Sequence, residues 1–334
     1  MNAVDHNNVV IFDDRGIPSI MCRFVRPKDT EEVPAVFKIG DKVADAIYIS
    51  KYPNIVIDGR AYSMPMADPT VNITFDGAVQ ACRCKGLGWH LMTAVEYEYL
   101  LNQSREKGTM PHGNTDWGKD YYHNDEQGKV SNLGRTYTGT GPVTWNHDHT
   151  PYGVSDLNGN VWEWLAGLRI KDGVIEFIPD NKAASPYCDL SKDSAEWQQA
   201  ETSKGPVRAN VECGEITITD AVAADDYEPD YDGVRIEKLE VELSEIPQVL
   251  KDLGIIPDKR AEEEGKTYVY FDATEGEYMP IRGSAFNNTS NSGPSALNLN
   301  NPRSNSNDNI GFRSALPLCQ EALRLRPQGQ YKQG

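Results

Sequence analysis

The stretch Gly153–Trp164, GVSDLNGNVWEW, decides the fold. Its first half reads as a tight polar turn. Gly153 and Gly159 accept backbone angles other residues avoid, and Asp156, Asn158 and Asn160 have short side chains that bond nearby backbone. Its second half has to go inside. Val161, Trp162 and Trp164 carry too much apolar area for a surface. Glu163 sits between the two indoles, so it needs a partner once buried.

Upstream lie two helices. In TFDGAVQACRCKG, Thr74 is a candidate N-cap and Gly86 a stop. In WHLMTAVEYEYLLNQSR, Thr93 and Glu96 have capping-box spacing, and Val95, Tyr99 and Leu100 follow at helical intervals. Before them, DAIYISKYPNIVIDGRAYSMP alternates as sheet does. Residues 103–150 are rich in Gly, Asp, Asn, His and Tyr with little periodicity, and read as long ordered loops anchored by Trp117, Tyr121, Tyr122 and Trp145. Residues 1–44 read as a small N-terminal β-rich module or arm.

Downstream the chain changes character. Residues 168–266 read as a long acidic insertion: Val222–Glu264 holds 14 acidic and 5 basic residues. Within it SEIPQVLKDLG reads as a helix between an N-cap at Ser244 and a C-cap at Gly254. KTYVYFDATEGEYMPIRGSAF returns to strand, and residues 321–334 form a polar tail.

One segment contradicts its own composition. Asn287–Asn309 contains nine asparagines and five serines, which normally marks a disordered tract. Yet it runs directly into NIGFRSAL, which reads as core-bound chain. In SALNLNNP the asparagines alternate with leucines, so Asn298 and Asn300 fall on one face and Leu297 and Leu299 on the other.

Composition narrows the classes. The chain has 334 residues, 39% of them hydrophobic, and a net charge of −17, which disfavours nucleic acid and anionic membrane as partners. No segment has the length and apolarity of a membrane span, and the first residues lack the pattern of a signal peptide. The six cysteines do not suggest a disulfide framework, and Cys82 and Cys84 lack zinc-finger spacing. His147 and His149, with Asp148 between them, lack a third metal ligand and read as loop residues. No phosphate-binding glycine loop, HExxH or GxSxG motif is present.

Four pieces in order then carry a resemblance. GVSDLNGNVWEW, IYISKYPNIVIDGRAYSMP, ITFDGAVQACRCKGLGWHLMTAVEYEYLL and the closing IRGSAF…NIGFRSAL resemble the formylglycine-generating-enzyme (sulfatase-modifying factor) type of C-type-lectin fold. The resemblance covers roughly residues 45–168 and 268–319. It implies an α+β fold: a C-type-lectin-like domain over 45–320, holding the 168–266 insertion. It also implies calcium as a possible ligand of Asp156 and Glu163 with the carbonyls of Gly159 and Val161, since hard oxygens from one turn suit that ion. No other cofactor is expected. The family's enzymes use cysteines between the two closing elements. Here none lies between Arg282 and Arg313, and Cys319 falls beyond them, so the chain is not expected to be an enzyme.

The Asn-rich segment itself resembles the variable region of proteins diversified by retroelements, here residues 282–313. In that family a reverse transcriptase introduces errors at adenines. Asn codons begin with two adenines and end in a pyrimidine, so changing the adenines yields many residues and no stop codon. The resemblance therefore implies a hypervariable, exposed ligand-binding set at Asn287, Asn288, Asn291, Asn298, Asn300, Asn301, Asn305, Asn307 and Asn309. Ala285, Phe286, Thr289 and Ser295 are candidate substituted positions of the same set. Arg282, Gly283, Ala296, Leu297, Leu299, Arg303, Gly311, Phe312 and Arg313 are the expected frame. The implied function is receptor binding on a bacteriophage tail, with a host-cell surface protein or glycan as partner. The alternatives are a formylglycine-generating-type oxidase and a lectin-like binder displayed on a bacterial cell surface.

Overall fold

A computed structural model describes residues 7–224, 226–256 and 267–319. The polar tail at 321–334 and the end of the acidic insertion at 257–266 lie outside the described residues.

Two sheets organise the chain. The smaller has five strands in the order Asn7–Phe12, Pro18–Val25, Ala46–Ser50, Ser314–Leu318 and His90–Leu91, all antiparallel. Its first two strands come from the N-terminal β-rich segment, and Val25 pairs with Ala46 across the expected boundary at residue 44. That segment therefore widens the sheet of the main domain. Cys22 and Phe24 point into a core shared with Ile47, Ile49 and Leu100.

The second sheet is larger. Trp162–Trp164 lies between Glu277–Arg282, to which it is antiparallel, and Ile310–Phe312, to which it is parallel. Leu297–Pro302 lies between Glu277–Arg282 and Tyr268–Asp272. The insertion is woven into this sheet. Val174 pairs with Arg208 on one side, and Tyr231–Arg235 pairs with Tyr268–Asp272 on the other.

The helices follow their sequence signals closely. α1 spans Phe75–Arg83, with Thr74 accepting the Gly77 amide at 3.1 Å. α2 spans Ala94–Lys107 and starts with the complete Thr93/Glu96 capping box. α3 is shorter than expected. It spans Gln248–Asp252 behind Pro247, because Ser244 turns its amide and hydroxyl to Asp220 instead of capping the helix. Gly254 does end it, at φ 67°. Trp162 and Trp164 are both buried, and Trp164 donates its indole N–H to the Ile73 carbonyl at 2.9 Å.

Candidate functional site

The Asn-rich segment is ordered because buried arginines grip it at both ends. Arg282 donates to Glu98 Oε2 of α2 at 2.7 Å and to the Ser295 carbonyl at 3.2 Å, so one side chain holds the start and the return of the loop. Arg105 adds a bond to the Ser295 hydroxyl at 2.8 Å. Tyr97 donates its hydroxyl towards the carbonyls of Leu157 and Pro294, both at 2.8 Å. Thus one face of α2 clamps the loop to the GVSDLNG turn. Gly283 must be glycine there. Its φ is +89°, and a Cβ would stand 2.5 Å from the Leu157 carbonyl oxygen.

Past the loop, Arg303 bonds Glu277 at 2.8 Å and Asp76 at 2.6 Å, and its guanidinium lies over the Phe75 ring. Arg313 is fully buried. It reaches both oxygens of Glu163 and the carbonyls of Ser50, Lys51 and Ser155. The partner demanded by Glu163 is therefore the arginine of NIGFRSAL.

On this frame the asparagines divide. Asn287 and Asn307 are exposed; Asn288, Asn291, Asn298, Asn300, Asn305 and Asn309 are half-buried. Asn301 departs from expectation. It is 7% exposed, and strand alternation puts it on the same side as Leu297 and Leu299. Its side chain donates to Asn298 Oδ1 at 2.8 Å and accepts from Asn305 at 2.6 Å, so it ties neighbouring asparagines together. Asn288 has a local task as well, accepting the Ala285 amide at 2.8 Å to close the turn.

Three expected surface positions are also interior. Ala285, Phe286 and Ser295 are buried, while Thr289 is half-buried at φ 50°. Phe286 is drawn in because its amide donates to the Asn160 carbonyl and its own carbonyl receives the Trp117 amide at 2.8 Å. Ser295 is held between Arg105 and Arg282.

A comparison with protein families decides which family this frame belongs to. The Sulfatase-modifying factor enzyme 1-like domain matches residues 57–317. The chain belongs to the sulfatase-modifying factor enzyme 1-like family. Among curated relatives, the formylglycine-generating enzyme of Mus musculus is 36% identical over 105 residues, covering 29% of this chain and 27% of that protein. Of solved structures, PvdO from Pseudomonas aeruginosa aligns over 93% of this chain and 98% of its own, at 14% identity and a TM-score of 0.38. The Major Tropism Determinant U1 variant aligns over 91% of this chain and 59% of its own, at 14% identity and a TM-score of 0.32. The chain thus spans about a quarter of its curated relative. Its fold class is that of the family, α+β with a C-type-lectin-like domain.

Within this sulfatase-modifying factor enzyme 1-like chain, the thiols are scattered. Cys22, Cys82 and Cys188 are buried, with burial pushing the Cys22 thiol up to about 12. Cys213 is at an exposed hairpin tip of the larger sheet, and Cys319 follows the last strand of the smaller one. None lies between Arg282 and Arg313.

The turn itself does not fit calcium. Both Glu163 oxygens face the Arg313 guanidinium, Asp156 Oδ2 accepts the Gly139 amide at 3.0 Å, and the Gly159 carbonyl accepts the Val161 amide at 2.9 Å. A cation there would face a buried guanidinium. Burial raises Asp156 to about 6, against the pull of the Gly139 amide and Arg313. His147 and His149 lie in a loop, as expected, but not both at the surface. His147 is buried and accepts the Val154 amide at 2.8 Å, while His149 contacts the Met110 carbonyl. Among the described residues no cluster of three or more His, Cys, Asp or Glu could hold a metal.

The aromatics of residues 103–150 divide between core and surface. Trp145 is buried as an anchor should be, but Trp117, Tyr121 and Tyr122 are exposed, at 54%, 38% and 39%. The Trp117 ring meets Phe286 edge-on at 6.3 Å, and the Tyr122 hydroxyl donates to the Ser290 carbonyl at 3.0 Å. The loop that carries them therefore borders the Asn-rich turn. An aromatic in an aperiodic loop gives no signal of its facing, so only the fold could reveal this.

Proposed function

We propose that this chain is a ligand-binding protein whose Asn-rich surface is diversified by a retroelement, acting as a receptor-binding protein on a bacteriophage tail. Its partner is a host-cell surface protein or glycan. One observation carries the reading: a segment with the composition of disordered chain is folded, with eight of its nine asparagines exposed or half-buried and its leucines and glycines, with the flanking Arg282 and Arg313, inside. That division suits a surface meant to change on a frame meant to stay. Loops on rigid scaffolds are where such variation is tolerated. No catalytic role is assigned, because the closing segment has no sulfur to supply a nucleophile.

The test has two arms. A reverse-transcriptase gene beside this one, with an adenine-bearing near-repeat of codons 285–309, is the expected genomic context. Purified protein, with copper supplied, is expected to leave the cysteine of sulfatase-type peptides unoxidised. Turnover to formylglycine would restore the oxidase reading that family membership suggests.

A further inference from the structure

The asparagines of the closing segment are not free to turn. An amide oxygen only accepts and an amide nitrogen only donates, so a backbone N–H beside the group fixes which end points where. Asn298 Oδ1 accepts the Asn300 backbone amide at 3.0 Å. It also accepts from Asn301 at 2.8 Å, so the Asn301 atom there is Nδ2. That nitrogen donates again, to Asn300 Oδ1 at 3.1 Å, and Asn301 Oδ1 accepts from Asn305 Nδ2 at 2.6 Å. One backbone N–H thus orients four side chains. Asn288 and Asn307 are fixed in the same way, by the amides of Ala285 and Asp308, both at 2.8 Å. Among the described residues nothing accepts from Nδ2 of Asn288, Asn298, Asn300 or Asn307, and none of these four atoms is buried. What they offer outward is N–H, against one free amide oxygen at Asn305. Asn287 and Asn309 pair with each other at 3.4 Å and leave one of each.

We infer that this surface takes an uncharged glycan bearing acetamido groups, whose carbonyls are received by the free NH2 groups of Asn298 and Asn300 on one face of the strand Leu297–Pro302. This rests on the proposed ligand-binding role and narrows its ligand. Oriented donors are best met by acceptors, since a donor covered without one costs its desolvation. A hydroxyl brings a donor with every acceptor, whereas a carbonyl brings only the acceptor. Charge argues against an acidic ligand. The chain carries −17, the segment 287–309 holds one aspartate, Asp308, and its one arginine, Arg303, is already spent on Glu277 and Asp76. Folded proteins keep most backbone carbonyls in their own hydrogen bonds, while the acetamido carbonyl of a sugar hangs free. The rest of that group is also provided for. Half-buried Tyr270, the cross-strand partner of Asn298, is an apolar neighbour for its methyl, and Asn305 Oδ1 is an acceptor for its N–H.

The test is calorimetric binding of the full chain to four probes: tetra-N-acetylchitotetraose, cellotetraose, polygalacturonate and serum albumin. Cellotetraose has the same sugar backbone without the acetamido groups. The acetylated tetrasaccharide is expected to bind about tenfold or more tightly than cellotetraose, a comparison that needs no variant. Asn298→Asp and Asn300→Asp each keep the oxygen that the amide network uses and set an acceptor where the free donor stood. Each is expected to weaken binding about tenfold, with the melting temperature little changed. Asn124→Asp, exposed in another loop, adds the same charge and should leave binding as it is. Equal binding of the two tetrasaccharides, or folded Asp variants that bind like the parent, would overturn the acetamido ligand. Preference for polygalacturonate would overturn its lack of charge, and binding to serum albumin alone would overturn the glycan; all of these leave the ligand-binding role standing. Binding to none of the four overturns the inference, while the role itself answers to the reverse-transcriptase neighbourhood.

Discussion

Arg313 and Glu163 meet in the interior as a two-bond pair, Nε donating to one carboxylate oxygen at 2.9 Å and Nη2 to the other at 2.7 Å. Both side chains are essentially without solvent. The pair joins the last motif of the domain to its most distinctive turn, across 150 residues of chain. Arg313 also takes three carbonyls from two other loops, so its charge is almost fully satisfied by the protein.

Removing one partner should therefore be severe. Glu163→Gln or Arg313→Met leaves an unpaired buried charge or its vacated partner, and each is expected to cost about 3–5 kcal/mol by urea denaturation. Glu163→Met with Arg313→Met should cost less than the two added together, because no lone charge is left. Single variants that unfold within about 1 kcal/mol of the parent would show that the pair is dispensable.

The two indoles next to Glu163 provide a second check. Trp164 packs edge-on against Phe75, and Trp162 joins the same cluster. Truncation of either to Ala should cost about 3–5 kcal/mol. A melting temperature within a degree or two of the parent, roughly the shift of a sub-kcal/mol change, would contradict the placement of this strand.

Lys85 gives a prediction in pH. It is buried, donates to Ser19 Oγ at 2.8 Å, and places Nζ 3.2 Å from the Trp89 ring centre. Burial pushes its pKa down to about 7 from 10.5. Above 10.5 the amine is neutral in both states, and its contribution to stability is fully present. As pH falls towards 7 the unfolded chain takes up the proton and the folded chain resists, so that contribution is lost. Lys85→Met removes the dependence. The melting-temperature advantage of Lys85→Met should be largest near about pH 6–7 and shrink towards pH 9–10. An advantage that instead grows with pH would mean that the Trp89 and Tyr62 faces, which attract the charged amine, outweigh burial.

These residues show what was readable in the sequence. The Trp-Glu-Trp turn, the Thr93 capping box and the Leu297/Leu299 alternation are local patterns with one physical meaning, and all three stand in the structure. The same alternation placed Asn301 inside, but its residue type hid this, since asparagine normally argues for the surface. Ser244 was lost to a longer-range competitor, Asp220. Ala285 and Phe286 are pulled in by backbone bonds to Asn288, Asn160 and Trp117, contacts that exist only once distant loops have met. The facing of Trp117, Tyr121 and Tyr122 depends on the same loops.

The asparagines can now be ranked. Asn287 and Asn307 are exposed, and replacing either should change stability by no more than about 0.5 kcal/mol, as at ordinary surface sites. Asn298 and Asn300 are half-buried and bond their neighbours, so they should tolerate change less freely. Asn301→Ala should cost about 1–3 kcal/mol, because it breaks a buried side-chain bridge and leaves Asn305 without that acceptor. A library varied at 287, 288, 291, 298, 300, 305, 307 and 309 should fold in most members, read as protease resistance of displayed protein. Adding 285, 286, 295 and 301 should sharply lower the folded fraction, since these side chains face the interior. Varying Leu297, Leu299, Gly311 and Phe312 should abolish folding. If the outer library is protease-sensitive while the inner one resists, the asparagines hold the frame and the surface reading is wrong.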